Sequence, residues 1–336
     1  MGVLIVATGG TIASLPDPER GAVKPAVSGE ELVAGIPALA RFGPVEVVEL
    51  ERVNGWNMTP TRMLDVVHEL RTRLADATTG AVVTHGTDTV EETAFLCELL
   101  VGADMPVVFA AAMRSGAEIA ADGPRNLLNA AKVTVSPEAV GWGSLVAMND
   151  ELHSARWCRK LDSYRTSAFS SPDHGPVGAV TPERLKISPP PARVLLETPD
   201  ALRAEVPVLK TYTGMGEELI ETVMDETQAD GIVLEGTGAG NVPGSALSGI
   251  RVAVRRAIPI AIATSVPAGG VVPIYGGPGG GVTLREEGVL SAGALPAGKA
   301  RLLLMVCLAV TESADDARRL FSSIVDALAP GAFGND

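Results

Sequence analysis

The chain has 336 residues, is 46% hydrophobic, and carries 27 basic against 40 acidic side chains, a net charge of −13. That length exceeds one ordinary core and fits two domains of roughly 100–200 residues each. The acidic surplus is spread along the chain, which excludes the basic footprint that nucleic acid or an anionic membrane requires, and no apolar run approaches the ~20 residues of a membrane helix.

Residues 3–7 form a valine-rich run that predicts a first buried strand. The run lacks a basic n-region and a cleavage site, so it reads as a strand and the protein as cytoplasmic. It leads directly into Thr8-Gly9-Gly10-Thr11. A second strand is predicted over 45–50. Thr59-Pro60 then offers an N-cap and a proline at N1, and Leu64, Val67, Leu70 and Leu74 keep one apolar helix face. Residues 81–83 predict the next buried strand, which opens into Thr84-His85-Gly86-Thr87-Asp88-Thr89. Glu91 and Glu92 suit the first turn of the helix that follows, with Phe95, Leu96, Leu99 and Leu100 on its apolar face and Gly102 at its end. Strands at 107–110 and 145–147 continue the alternation.

The pattern lapses around Ser188-Pro189-Pro190-Pro191, which cannot lie in a helix interior or a central strand. It resumes on a smaller scale with strands at 206–211, 231–234 and 258–263 and a helix over 297–310. The predicted architecture is α/β: a larger N-terminal doubly wound, parallel-type sheet domain over 1–186, a proline-rich linker over 187–206, and a smaller C-terminal α/β domain over 207–336.

Two threonine-rich turns at the ends of neighbouring parallel strands lie where open α/β sheets hold ligands and chemistry. Thr8-Gly9-Gly10-Thr11 offers a hydroxyl on a backbone that only glycines let a substrate approach closely. A hydroxyl is a weak nucleophile at neutral pH and needs a proton acceptor nearby; a carboxylate such as Asp88 is a poor one, a desolvated lysine a better one. Taken alone, either turn is as readily explained by a hydroxyl or carboxylate capping the next helix. Cys97, Cys158 and Cys307 are far apart, and neither a CxxC nor a His/Cys cluster occurs, so the thiols read as buried and reduced and no metal site is expected. His85 reads as a structural histidine, since no G-x-S-x-G elbow occurs. Gly236-Thr237-Gly238-Ala239-Gly240-Asn241 fails as a dinucleotide fingerprint: Asn241 replaces the third glycine, and Arg256 stands where an acid is needed.

The segments A-T-G-G-T-I-A at 7–13 and T-H-G-T-D-T-V-E-E-T-A at 84–94 resemble the two signatures of the bacterial-type L-asparaginase (asparaginase/glutaminase) family. Further matches at Ala112-Met113-Arg114, Ala121-Asp122-Gly123-Pro124, Met148-Asn149-Asp150, His174-Gly175-Pro176 and Lys299-Ala300-Arg301 extend the resemblance over nearly the whole chain, the last looking like the opening of the family's final helix. The resemblance implies an amidohydrolase without a cofactor that converts L-asparagine to L-aspartate and ammonia through an acyl-enzyme. Thr11 matches the nucleophile, and Thr87, Asp88 and Lys160 match the proton-transfer triad. Backbone amides of the glycine turns, at Gly10 and Gly86, would hold the oxyanion, and Asp88 would pair with the substrate's α-amino group. Asn241 matches an asparagine that reaches a neighbouring subunit's active site, which implies a homo-oligomer, expected as a dimer of dimers.

Three positions depart from the family pattern. The family's lid tyrosine has no counterpart between 16 and 28, where no tyrosine occurs. Gly55 and Trp56 stand where a serine and a glutamine often hold the substrate's α-carboxylate, leaving the Gly55 amide to meet it. The glutamate donated by the neighbouring subunit has only Tyr275 near its position. L-glutamine, D-asparagine or a specialised amide therefore remain alternative substrates, and a non-catalytic amino-acid-binding protein is the rival from another class.

Overall fold

A computed structural model describes residues 2–17, 19, 21–75, 79–102, 104–181 and 183–329. The chain divides into two compact units, Met1–Leu196 and Glu197–Asp336.

In the first unit, β1 (Val3–Gly9) is followed by a hairpin of β2 (Ser14–Asp17) and β3 (Ala22–Pro25), then α1 (Gly29–Ala34), β4 (Val45–Val53), α2 (Pro60–Leu74), β5 (Ala81–Thr84) and α3 (Val90–Leu100). Next come β6 (Val107–Ala110), α4 (Gly123–Thr134), β7 (Ser144–Met148), β8 (Glu151–Ser154), the short β9 (Arg159–Lys160) and β10 (Phe169–Ser170), β11 (Gly178–Val180) and β12 (Leu185–Ile187). Eight strands form one sheet in the order β12-β11-β8-β7-β6-β5-β1-β4. The pairs β4-β1, β1-β5, β5-β6 and β6-β7 are parallel. Strands β5 and β6 are buried along their whole length, which is why they read as unbroken apolar runs. The chain leaves β1 for β4 on one side and returns to β5 on the other. Strand order therefore reverses at β1, and the ends of β1 and β5 flank a topological switch point.

Local chemistry explains the helices. Thr59 caps α2, its hydroxyl accepting from the Arg62 amide at 3.3 Å, with Pro60 in the first turn. The buried face of α2 is Met63, Leu64, Val66, Val67, Leu70 and Leu74. Helix α3 ends at Leu100, before the expected Gly102, with Val101 as its C-cap.

Beyond β7 the sheet turns antiparallel through β8, β11 and β12, an extension the parallel reading did not foresee. The reversal sits at Asn149 and Asp150, with φ of 52° and 67°. Two consecutive left-handed residues make the primed two-residue turn that matches strand twist. Asp150 is fixed there by Arg125, at 2.6 and 2.8 Å, and by Asn129 at 2.8 Å. These bonds hold the Asp150 carboxyl below the usual carboxylate range.

Residues 188–206 contain neither helix nor strand; within them, the Leu196 amide donates to Leu99 O at 2.9 Å. The second unit runs β13 (Val208–Lys210), α5 (Glu218–Thr227), β14 (Ile232–Gly236), α6 (Leu247–Arg255), β15 (Ile260–Thr264), α7 (Gly281–Glu286), β16 (Leu290–Ser291), α8 (Ala297–Val310) and α9 (Ala314–Leu328). Its four strands are all parallel, in the order β13-β14-β15-β16. Helix α8 contains Lys299-Ala300-Arg301 but is not the last: α9 follows, capped by Ser313, whose hydroxyl accepts from the Asp316 amide. Cys97, Cys158 and Cys307 are buried free thiols. Among the described residues, no helix is long and apolar enough to cross a membrane.

Candidate active site

Strands β1 and β5 are neighbours, so their exit turns lie side by side. At the β1 exit Gly9 and Gly10 have φ of 97° and 81°, a backbone that side chains rarely tolerate. A Cβ on Gly9 would fall 2.6 Å from Val53 N and O, and one on Gly10 would fall 2.4 Å from Gly86 Cα and N. A Cβ on Gly86 would in turn lie 2.6 Å from Gly55 Cα and N. Three loops, at Gly10, Gly55 and Gly86, thus meet backbone against backbone, and only glycine permits it. Hydrogen bonds close the arrangement. Gly10 N donates to Val53 O at 2.9 Å, the Thr8 hydroxyl to Thr84 O at 2.8 Å, and the Thr89 hydroxyl to Gly55 O at 2.8 Å.

Thr11 opens a single 3-10 turn, Thr11–Ala13, pinned by Ala13 N to Gly10 O and by the Ser14 hydroxyl to Gly10 O. Its side chain is half-buried and makes no hydrogen bond to a described residue. Thr87 and Asp88 follow Gly86, just ahead of α3; Thr87 is buried, and the Asp88 side chain is 44% exposed.

Lys160 arrives from a distant part of the chain. It lies on β9, in the excursion between β8 and β11, and its side chain is 18% exposed. Its Nζ donates to Thr87 Oγ1 at 2.8 Å and to Asp88 Oδ1 at 2.6 Å. A hydroxyl, a carboxylate and a lysine side-chain nitrogen are therefore joined by two short bonds across more than 70 residues of sequence. The Lys160 amide donates to Glu91 Oε2 at 2.8 Å, a contact that sequence reasoning missed; Glu91 read only as an acidic residue suited to a helix N-terminus.

His85 is fully buried. Its Nδ1 lies 2.8 Å from Gly86 O, and its Nε2 lies 2.9 Å from the Thr93 hydroxyl. A carbonyl only accepts, so Nδ1 carries the proton and Nε2 accepts from Thr93. Burial pushes the pKa down to about 4 against the opposing Gly86 bond, so the ring is neutral and serves as a strut under the turn. Asp122 braces the next strand exit, accepting from Met113 N at 3.1 Å and Arg114 N at 2.9 Å. Its spacing from Ala112-Met113-Arg114 was the available signal.

Gly55 is buried in the three-loop contact, whereas Trp56 beside it is 66% exposed. The segment that lacks a tyrosine is the β2-β3 hairpin, with Leu15 and Val23 exposed. In the second unit, the Asn241 backbone carbonyl accepts from Thr237 N and its side-chain Oδ1 accepts from Gly281 N at 3.1 Å. Tyr275 is exposed there, within a segment without helix or strand. Among the described residues, no three His, Cys, Asp or Glu side chains gather as a metal site.

The asparaginase N-terminal family model matches residues 2–193, and the glutaminase/asparaginase C-terminal domain model matches residues 205–321. The chain belongs to the asparaginase family. It is thereby an amidohydrolase. A probable L-asparaginase of Deinococcus radiodurans is 37% identical over 325 residues, covering 95% of this chain and 96% of that protein. A glutaminase-asparaginase of Pseudomonas fluorescens is 31% identical, covering 95% of this chain and 89% of its own length. Among solved structures, a probable cytoplasmic L-asparaginase from Campylobacter jejuni superposes with a TM-score of 0.84 at 29% identity, over 95% of this chain and 98% of that one. That structure therefore shares this fold over nearly the whole chain.

Proposed function

We propose that this asparaginase-family enzyme hydrolyses the side-chain amide of L-asparagine to L-aspartate and ammonia, with Thr11 as nucleophile and no cofactor. The observation that carries the reading is Lys160 Nζ bonded to both the Thr87 hydroxyl and the Asp88 carboxylate beside the three stacked glycine turns. The Thr11 hydroxyl, with no hydrogen-bond partner among the described residues, is left for a substrate.

In this mechanism Thr11 Oγ1 attacks the amide carbon while its proton passes, by way of the Thr87 hydroxyl, to Lys160 Nζ, which accepts it as the neutral amine. Collapse of the tetrahedral intermediate breaks the C–N bond, and a proton from the Thr87-Lys160-Asp88 set leaves with ammonia. Water then attacks the Thr11 ester, releasing the acid and restoring the hydroxyl. Backbone amides of the turns at Gly10 and Gly86 stabilise the oxyanion. Asp88 pairs with the substrate's α-amino group and the Gly55 amide meets its α-carboxylate; an unmatched buried charge is costly, so this pairing selects amino acids over simple amides. The reading further includes a cytoplasmic homo-oligomer, a dimer of dimers, in which Asn241 completes a neighbouring subunit's site.

The second reading keeps the chemistry and changes the amide, to L-glutamine, D-asparagine or a bulkier amide. The exposed indole of Trp56 next to the Gly55 contact favours it. Ammonia release across these amides decides between them: kcat/KM highest for L-asparagine upholds the first reading, and a higher value for another amide replaces it.

A further inference from the structure

Lys160 reaches the site from outside its own loop. Strand β9 is two residues long and, among the described residues, pairs only with β10, which belongs to the same excursion of the chain. Leu161 N donates to Ala168 O at 2.8 Å, again within that excursion. These bonds shape the excursion without fixing where it lies relative to Thr87 and Asp88. The Lys160 amide crosses over: it donates at 2.8 Å to Glu91 Oε2, 69 residues away, in the first turn of α3. Helix α3 begins at Val90, directly after Thr87-Asp88-Thr89, and Val90 and every residue from Thr93 to Leu100 are buried. Glu91 is thus rigidly tied to the two groups that the Lys160 side chain must touch, and it holds the Lys160 backbone from the same base.

We propose that Glu91 is a positioning residue of the active site, which sets the distance from Lys160 Nζ to Thr87 Oγ1 and Asp88 Oδ1 by anchoring the Lys160 amide. It acts through Lys160 and touches neither substrate nor reacting atom. The inference rests on the proposed role of Lys160 and goes beyond it by naming what places that lysine. The link is backbone to carboxylate, so any residue at 160 except proline could donate it; its catalytic value lies only in what the side chain at 160 does.

The test is a four-enzyme cycle: wild type, Glu91→Ala, Lys160→Met and the double variant, with ammonia release from L-asparagine and a melting curve for each. A misplacement of about 1 Å at a catalytic group costs on the order of 100-fold, so Glu91→Ala is expected to lower kcat by about 10- to 100-fold. Glu91→Gln keeps an acceptor oxygen and is expected to stay within about threefold of wild type, since one neutral hydrogen bond replaces a charge-assisted one. In the Lys160→Met background, Glu91→Ala is expected to change the residual kcat by less than about threefold, because groups that act as a unit are not additive. A merely structural Glu91 would cost the same factor with or without the lysine amine, and that result overturns the proposal, as does wild-type kcat in Glu91→Ala. If Glu91→Ala shows no cooperative melting, Glu91→Asp takes its place; it keeps the charge on the helix, shortens the reach by one methylene, and carries the same expected loss. Lys160→Met at wild-type rate would instead overturn the reading of the site itself, a result separate from failure of the anchor.

Discussion

Both units place a glycine-rich turn after a buried parallel strand, and the two turns do different things. In the first unit the exits of β1 and β5 press Gly10 and Gly86 together, with Gly55 behind them. In the second unit the exit of β14 closes on itself. Thr237 N donates to Asn241 O at 2.8 Å, Asn241 N returns to Thr237 O at 2.9 Å, and the Thr264 hydroxyl donates to Gly238 O. A Cβ on Gly238 would meet nothing nearer than Asn241 Nδ2 at 3.8 Å. The second turn, Gly236 to Asn241, itself contains no titratable residue, whereas Thr87, Asp88 and Lys160 converge on the first. A glycine turn at a strand end clears space; in the proposed mechanism it is the distant segment carrying Lys160 that adds the reactive group.

The largest test of that contrast removes the chemistry and leaves the turn. Thr11→Ala is expected to lower ammonia release by several powers of ten, roughly the cost of losing a nucleophile, with its melting temperature close to wild type. Lys160→Met is expected to do nearly as much, and a near wild-type rate in steady-state assays would show that another group handles the proton. Next comes the turn itself. Gly10→Ala must put a Cβ against the Gly86 backbone at φ 81°, and is expected to cost about 3 kcal/mol of stability together with about 100-fold in kcat. The same substitution at Gly238, where φ is 52° and the space is open, is expected to cost about 1 kcal/mol. Equal losses in thermal unfolding would erase the distinction between the two turns.

Acid provides a gentler perturbation, and the histidine part of it is confined to the first unit because the second contains no histidine. His85 has a folded pKa of about 4 against 6.5 unfolded, so between those values the unfolded chain binds more protons. Stability is fully present above pH 6.5 and falls as pH drops toward 4, by up to about 3 kcal/mol from this group. Burial also lowers the pKa values of His153 and His174, adding in the same direction. The check is an NMR titration: the His85 ring should titrate near 4, and a value near 6.5 would remove it as a neutral strut.

Much of this was legible in the chain, for identifiable reasons. Fully buried parallel strands such as β5 and β6 read as apolar runs because both faces are covered, and α2 announced itself through Thr59, Pro60 and a leucine face. The antiparallel edge was not legible, since β8, β11 and β12 are only three or four residues long, too short to show a period; Asn149-Asp150 was the one turn signal available. Helix α9 went unread despite its Ser313 cap and the buried face of Ala317, Phe321, Ile324, Val325 and Leu328. At the site, the glycines and hydroxyls of the two turns were visible because they sit in sequence beside predicted strands. The Glu91 anchor was not, because a backbone amide leaves no trace in residue identity and its partner lies 69 positions away.

The central claim is that the acyl group is carried by Thr11 while Thr87 handles protons. Acid-quenching the enzyme during turnover of L-asparagine and mapping the digest by mass spectrometry tests it most directly. The aspartyl ester should lie on the peptide containing Thr11 and be absent from the Thr11→Ala protein. An ester on the peptide containing Thr87 would contradict the account.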